Sequence, residues 1–177
     1  MDAPQDEELL VARRFRVVRR RLRMADGSEL VRETIQHPGA VVIVPLLSEQ
    51  RVCLIRNQRI AVCQTLIELP AGTLEPGEDP AVTAGRELSE ETGYRASRIE
   101  RLGQWLMSPG ILNEQMHVFV ATGLSPGSTA LETGEQIEPL VVAWSQALEM
   151  VRSGEIVDAK TVAAILFYDR FHQRSTG

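Results

Sequence analysis

Between Gly72 and Tyr94 the chain sets carboxylates at a spacing that chemistry can use. Glu87, Glu90 and Glu91 stand at i, i+3 and i+4, so on a helix all three project from one face. Like charges so placed repel, and no lysine stripe flanks them. A fourth carboxylate, Glu78, stands in the preceding loop, which Gly72 and Gly77 allow to turn sharply. Three glutamates on a helix are more often a solvated acidic face than a site; the company of Glu78 and the glycines changes that balance. Four carboxylates brought to one place require a cation to offset them. Oxygen ligands without a Cys/His set favour Mg²⁺, or Mn²⁺ in its stead, over Zn²⁺. Magnesium keeps several waters and is often shared with substrate phosphates, so the implied chemistry is hydrolysis of a phosphate or pyrophosphate.

The surrounding elements must hold that cluster. Asp79 is a good N-cap, Pro80 suits the first helical position, and Gly93 ends the run, which predicts a helix over 80–92. Ala81, Gly85, Leu88 and Thr92 share another face of it and are expected to pack on a sheet. Upstream, 15–35 alternates about a hairpin signal at Asp26-Gly27. Strands are expected at 40–46, 52–55 and 66–69, the last closed by Pro70-Ala71-Gly72, then at 99–105, 115–121 and 140–143. Helices near 145–152 and 159–172 close the chain. Strands interleaved with about three helices indicate a mixed α/β (α+β) layer architecture. Residues 1–38 read as an N-terminal antiparallel strand arm or subdomain, and 39–177 as the main domain.

The bulk numbers narrow the partners. The 177 residues suit one domain with a small extension, and 44% apolar with 24% charged residues is ordinary globular composition. No apolar run approaches the ~20 residues needed to cross a bilayer, and the acidic N-terminus has no apolar signal core. Membrane association and export are therefore not expected. The net charge of −5 argues against a nucleic-acid partner, although arginines gather between Arg13 and Arg23. That cluster reads first as a solvated face. Cys53 and Cys63 read as small buried hydrophobes, and two cysteines make no disulfide framework, so a cytoplasmic setting is expected. His37, His117 and His172 are isolated and expected to be non-catalytic.

Gly72, five residues, Glu78, seven residues and then Arg86-Glu87-Leu88-x-Glu90-Glu91-x-Gly93-Tyr94 resembles the Nudix box. The one departure is Tyr94, where a plain aliphatic is usual. The resemblance spans about 32–167 and implies a Nudix fold, a mixed sheet between helices. It further implies hydrolysis of a nucleoside diphosphate linked to another moiety. By the same resemblance Glu87, Glu90 and Glu91 bind the metal, with the Ala71 carbonyl as a further ligand. Arg86 is then the residue that pairs with a loop carboxylate such as Glu78 and orients the box.

Leu69-Pro70-Ala71-Gly72 and Ser108-Pro109-Gly110 resemble the branch of that family that hydrolyses ADP-ribose. In that branch an arginine at the position of Arg59 contacts substrate phosphate, a grip a guanidinium fork suits. Asn57-Gln58 departs from the usual Gln-Tyr there and puts contacts to base or sugar in question. Pro109, fifteen residues after Tyr94, stands close to where the branch carries its marker proline, and Arg32 and Glu33 resemble ligand-contacting positions of a dimer arm. The branch takes its catalytic base from a loop before the last strand; here Glu135 is the first candidate and Glu132 the second, with Glu138 structural. The expectation is therefore a Mg²⁺-dependent homodimeric hydrolase of a nucleoside diphosphate sugar, ADP-ribose first and GDP-mannose second. A catalytically silent binding module would be expected to carry a broken box, and this box is intact. Neither a P-loop nor a dinucleotide-binding glycine fingerprint occurs.

Overall fold

The computed structural model describes residues 5–47, 50–131, 134 and 136–172. The chain begins with three strands, β1 (Gln5–Val11), β2 (Arg16–Arg23) and β3 (Glu29–Gln36), paired antiparallel into a sheet of their own. The Asp26-Gly27 hairpin forms as its sequence predicts, with Gly27 at φ 85° and Ser28 N–H donating to Asp26 Oδ1. The acidic start at β1 carries no strand signal of its own. It pairs because Asp6 and Glu7 meet arginines across the ladder: Arg20 forks onto Asp6 at 2.7 and 2.8 Å, and Arg19 reaches both Glu7 and Glu33. The arginine cluster is thus largely the inner half of a cross-strand charge zipper.

The main body is a mixed sheet. Strands β4 (Ala40–Leu47), β5 (Arg51–Arg59), β6 (Gln64–Glu68), β7 (Ala71–Thr73), β8 (Tyr94–Leu106), β9 (Gln115–Pro126) and β10 (Ile137–Ala143) run in the order β10-β5-β4-β9-β8. β6 pairs with β5 and β7 with β4. β4 lies parallel to β9, and the other pairings are antiparallel. β4 bonds β7 through 40–42 and β5 only through Leu46 and Leu47, so it forks between the two. β7, the three-residue strand inside that fork, carries Ala71 and Gly72. The sequence reads there only as a Pro-Gly closure.

β4 is apolar without alternation because both faces are covered. Val41 and Ile43 pack with Ala84 and Leu88 of the first helix, α1 (Pro80–Thr92). Ala40, Val42 and Val44 pack under α2 (Trp144–Ser153) and α3 (Ala159–Phe171). The expected sheet between helices is therefore the fold observed. Asp79 caps α1 through Ala81 N–H at 2.8 Å, and Gly93 ends it at φ 74°. The packing face of α1 differs from expectation: Ala81 is exposed, and Thr83 and Ala84 are buried with Leu88 and Thr92. The face is turned so that Glu91 falls on its buried side. Cys53 is buried, its thiol pushed up to about 12 by desolvation, but Cys63 is exposed. Cys63 sits at φ 53° after a single 3-10 turn at Ile60–Val62, so it is a turn residue and not a core one. Among the described residues no helix is long and apolar enough to cross a membrane.

Candidate active site

The box glutamates are not a wet surface. Glu91 is only 4% exposed, and the side chains of Glu87 and Glu90 are 14% and 31% exposed. Each is held differently. Ala71 N–H donates to Glu91 Oε2 at 2.9 Å, which ties the buried end of α1 to β7. Glu87 lies over β7 in space that Gly72 leaves open: a Cβ at residue 72 would stand 1.9 Å from Glu87 Cδ. Glu90 and Glu87 share one donor, Arg86 Nη1, at 3.0 and 2.8 Å.

The cation that offsets the cluster in this structure is that arginine. Arg86 turns Nε and Nη2 to the two oxygens of Glu78, each at 3.2 Å. Its fork therefore joins the loop before the helix to two carboxylates of the acidic turn. The pairing expected of Arg86 and Glu78 is present and extends to two more carboxylates. The Arg86 hydrogen bond holds the Glu78 carboxyl below the usual carboxylate range, and the same contact raises the pKa of the guanidinium.

The fit to a divalent cation rests on donor chemistry and charge. Glu78, Glu87, Glu90 and Glu91 bring four negative charges against one on Arg86, and every donor is a carboxylate oxygen, the type hard cations take. In the present side-chain arrangement, among the described residues, no three acidic, histidine or cysteine groups converge as a ligand set. Three of the four carboxylates surround Arg86, and Glu91 accepts from the Ala71 amide. The donor set fits, with Glu87 and Glu90 now turned to Arg86.

Arg59 ends β5 within electrostatic reach of Glu91, which with Asp158 adds to its main partner, Glu68, in raising its pKa. Glu68 takes Nε on one oxygen at 2.8 Å and Nη2 on the other at 2.5 Å. This pairing uses one edge of the guanidinium and leaves Nη1 and the outer Nη2 proton on the other. Glu68 is 1% exposed and also receives Lys160 Nζ at 2.6 Å. Burial pushes the Glu68 carboxyl up, but Arg59 and Lys160 outweigh that and it lies below its ordinary range. Lys160 donates to Asp158 Oδ2 at 2.8 Å, and the same oxygen takes the Thr161 N–H and hydroxyl, capping α3. Thr161 Oγ1 in turn accepts Leu69 N–H at 2.9 Å. Sequence reasoning misses Glu68, Asp158, Lys160 and Thr161 altogether. Two signals point to them: a glutamate inside the apolar run 66–69, and a lysine in the first turn of a helix, where the macrodipole disfavours it.

The other expected site residues are more scattered. Arg32 and Glu33 lie on β3 of the separate sheet, Glu33 bonded to Arg19 and Arg32 to the Val31 carbonyl. Pro109 is exposed in the β8–β9 connection, whose Ile111 and Asn113 bond the backbone of Ile35. The structure thus brings Pro109's loop to the end of β3. Glu132 and Glu135 lie outside the described residues. On either side of them Ala130 N–H donates to Glu90 O at 3.0 Å, and Gln136 O accepts Gln58 N–H at 3.2 Å. Gln136, Ile137 and Glu138 line a shallow cavity of about 300 Å³ with Arg56, Gln58 and Thr65. His37 bonds Gly39 N–H, and His172 stacks on Tyr168.

Known proteins resemble this chain in sequence and in fold. The NUDIX domain profile matches residues 36–165. A methanol dehydrogenase activator of Bacillus methanolicus is 37% identical over 146 residues, 81% of this chain and 79% of that protein. An ADP-ribose pyrophosphatase of Bacillus subtilis (strain 168) is 38% identical over 146 residues, again 81% and 79%. A crystal structure of an ADP compounds hydrolase superposes with a TM-score of 0.84 at 23% identity, covering 99% of this chain and 97% of that one. Fold, box geometry and sequence likeness converge, and the chain belongs to the Nudix family of hydrolases.

Proposed function

We propose that the protein hydrolyses the pyrophosphate bond of a nucleoside diphosphate sugar, ADP-ribose first, giving AMP and ribose 5-phosphate in the presence of Mg²⁺. The observation that carries this reading is the set of shielded box glutamates with Arg59 within electrostatic reach of Glu91, a guanidinium with one edge fixed by Glu68 and the other available to a phosphate. The likeness to an ADP-ribose pyrophosphatase supports the choice of sugar. Glu87, Glu90 and Glu91 would hold a divalent cation, with the Ala71 carbonyl as a further ligand. When bound, such a cation offsets the charge of the pyrophosphate and acidifies water.

The chain's own residues do the rest. Arg59 grips a phosphate oxygen and holds the bond to be broken against the acidic face of α1. Arg86 keeps Glu78, Glu87 and Glu90 in register. A glutamate on the loop before β10, Glu135 ahead of Glu132, removes the proton from the attacking water. The bonds of Ala130 N–H to Glu90 O and of Gln58 N–H to Gln136 O support this role, because they tie the residues on either side to the box helix and to the strand that carries Arg59. Residues 1–38 form a dimerisation arm: Leu9, Leu10, Val11 and Phe15 are exposed apolar residues on or beside β1. Arg32, Glu33 and Pro109 then serve substrate binding across the dimer, and light scattering over a concentration series tests that assembly.

The reading is tested by a panel of ADP-ribose, GDP-mannose, UDP-glucose, NADH and dinucleoside polyphosphates, with Mg²⁺, Mn²⁺ or chelator. Metal-dependent release of AMP, fastest from ADP-ribose, supports it. Faster turnover of GDP-mannose moves the substrate, and no turnover of any pyrophosphate contradicts the proposal.

A further inference from the structure

The buried network behind Arg59 does more than the hydrolysis reading asks of it. Lys160 and Arg59 share one oxygen of Glu68, with Nζ at 2.6 Å and Nη2 at 2.5 Å. Apolar side chains of similar volume often stabilise a core as well as a buried ion pair does, so stability alone does not account for a lysine here. A buried ammonium in the first turn of a helix is doubly disfavoured, by burial and by the macrodipole. Its place in the fold is accounted for by what it does to Glu68. That carboxylate is held from both sides, so its plane is fixed, and with it the edge that Arg59 presents outward. The charge balance matters equally. Arg59 and Lys160 are cationic and Glu68 and Asp158 anionic, so the four sum to zero. Without Lys160 they sum to −1 beside the buried Glu91, and an arriving phosphate meets an anionic wall.

We propose that Lys160 is a positioning residue for substrate phosphate, acting through Glu68 on Arg59. This rests on Arg59 being the phosphate grip. The same first turn of α3 also holds Leu69 through Thr161, two residues before the Ala71 amide that meets Glu91. One helix end therefore sets both the phosphate grip and the strand behind the box.

The test is a double-mutant cycle on the full chain, read as the affinity for α,β-methylene-ADP, a non-hydrolysable diphosphate, by calorimetry with Mg²⁺. Lys160→Met is expected to weaken binding about tenfold, which is ~1.4 kcal/mol. Arg59→Ala is expected to weaken it at least as much. In the Arg59→Ala background, Lys160→Met should add less than about twofold, since its route is gone. An equal loss in both backgrounds, or no loss in the parent, overturns the proposal. Where Lys160→Met does not fold, Lys160→Gln keeps a donor without the charge, and the same cycle must show a loss in the same direction. The two readings fail separately: unchanged affinity in Arg59→Ala sinks the phosphate role of Arg59, whereas loss there with additive Lys160 effects sinks only the positioning role.

Discussion

Glu87 lies across Gly72 with its Cδ 1.9 Å from where a Cβ of residue 72 would be. Glycine is required at this position for the close approach and not for its backbone conformation, since its φ is not positive. Gly72→Ala is therefore expected to leave the fold intact while forcing Glu87 off β7. Displacing a site group by about 1 Å costs on the order of a hundredfold in rate. Turnover should fall by that order with a change of only a few degrees in Tm. A variant with wild-type turnover would show that Glu87 is free to move.

Arg86 serves Glu78, Glu87 and Glu90 with a single planar fork. A lysine ammonium cannot match that geometry. Arg86→Lys is expected to cost roughly 1–3 kcal/mol, the scale of leaving charged groups poorly bonded. Added Mg²⁺ should restore part of it by mass action, raising Tm more than in the wild type. Thermal unfolding with and without Mg²⁺ measures both; an equal Tm in the two proteins would contradict the bridging role.

Gly93 at φ 74° ends α1 where the segment after β9 passes close, and a Cβ placed on it would stand 3.1 Å from Gly127 O. Gly93→Ala combines left-handed strain of roughly 1–2 kcal/mol with that contact. Because Ala130 bonds Glu90 O just beyond, the strain should also shift the loop that carries Glu132 and Glu135. Urea unfolding and kcat should both fall; a loss of stability with kcat unchanged would separate that loop from catalysis.

Acid should weaken the fold through Glu68. Its folded pKa lies below the ordinary 4.5, since Arg59 and Lys160 outweigh its burial. Its contribution is therefore complete above that ordinary value and disappears as pH falls through the lower folded value. Glu78 follows the same sign through Arg86. In urea titrations from about pH 7 to about pH 3, Glu68→Gln should lower stability most at the neutral end and converge toward the wild type in acid. Parallel curves would mean that Glu68 contributes nothing through its charge.

The helix that carries the box was legible to the residue, because Asp79, Pro80 and Gly93 act locally. Its facing was not: whether Ala81 or Glu91 is buried depends on where β7 lies, and β7 exists only because β4 forks. β1 was hidden for a similar reason, since Asp6 and Glu7 favour a strand only opposite Arg20 and Arg19. The acidic cluster was visible as types and spacing. That Arg86 bridges three of its four carboxylates follows from side-chain reach, which spacing along a helix does not report. The Glu68–Lys160 pair joins positions 92 apart. Contacts of that kind are set by how α3 docks, and no window of sequence contains them.

The most direct measurement is turnover of ADP-ribose by the wild type and Glu91→Gln, each with Mg²⁺ and with chelator. The amide can still accept the Ala71 N–H, so the fold should hold while an anionic oxygen is lost. AMP and ribose 5-phosphate should appear only with metal, and Glu91→Gln should be slower by on the order of a hundredfold or more, the scale of losing a preorganised charged group. Turnover that survives chelator, or a Glu91→Gln rate equal to the wild type, would contradict the assignment of the box as the site of chemistry.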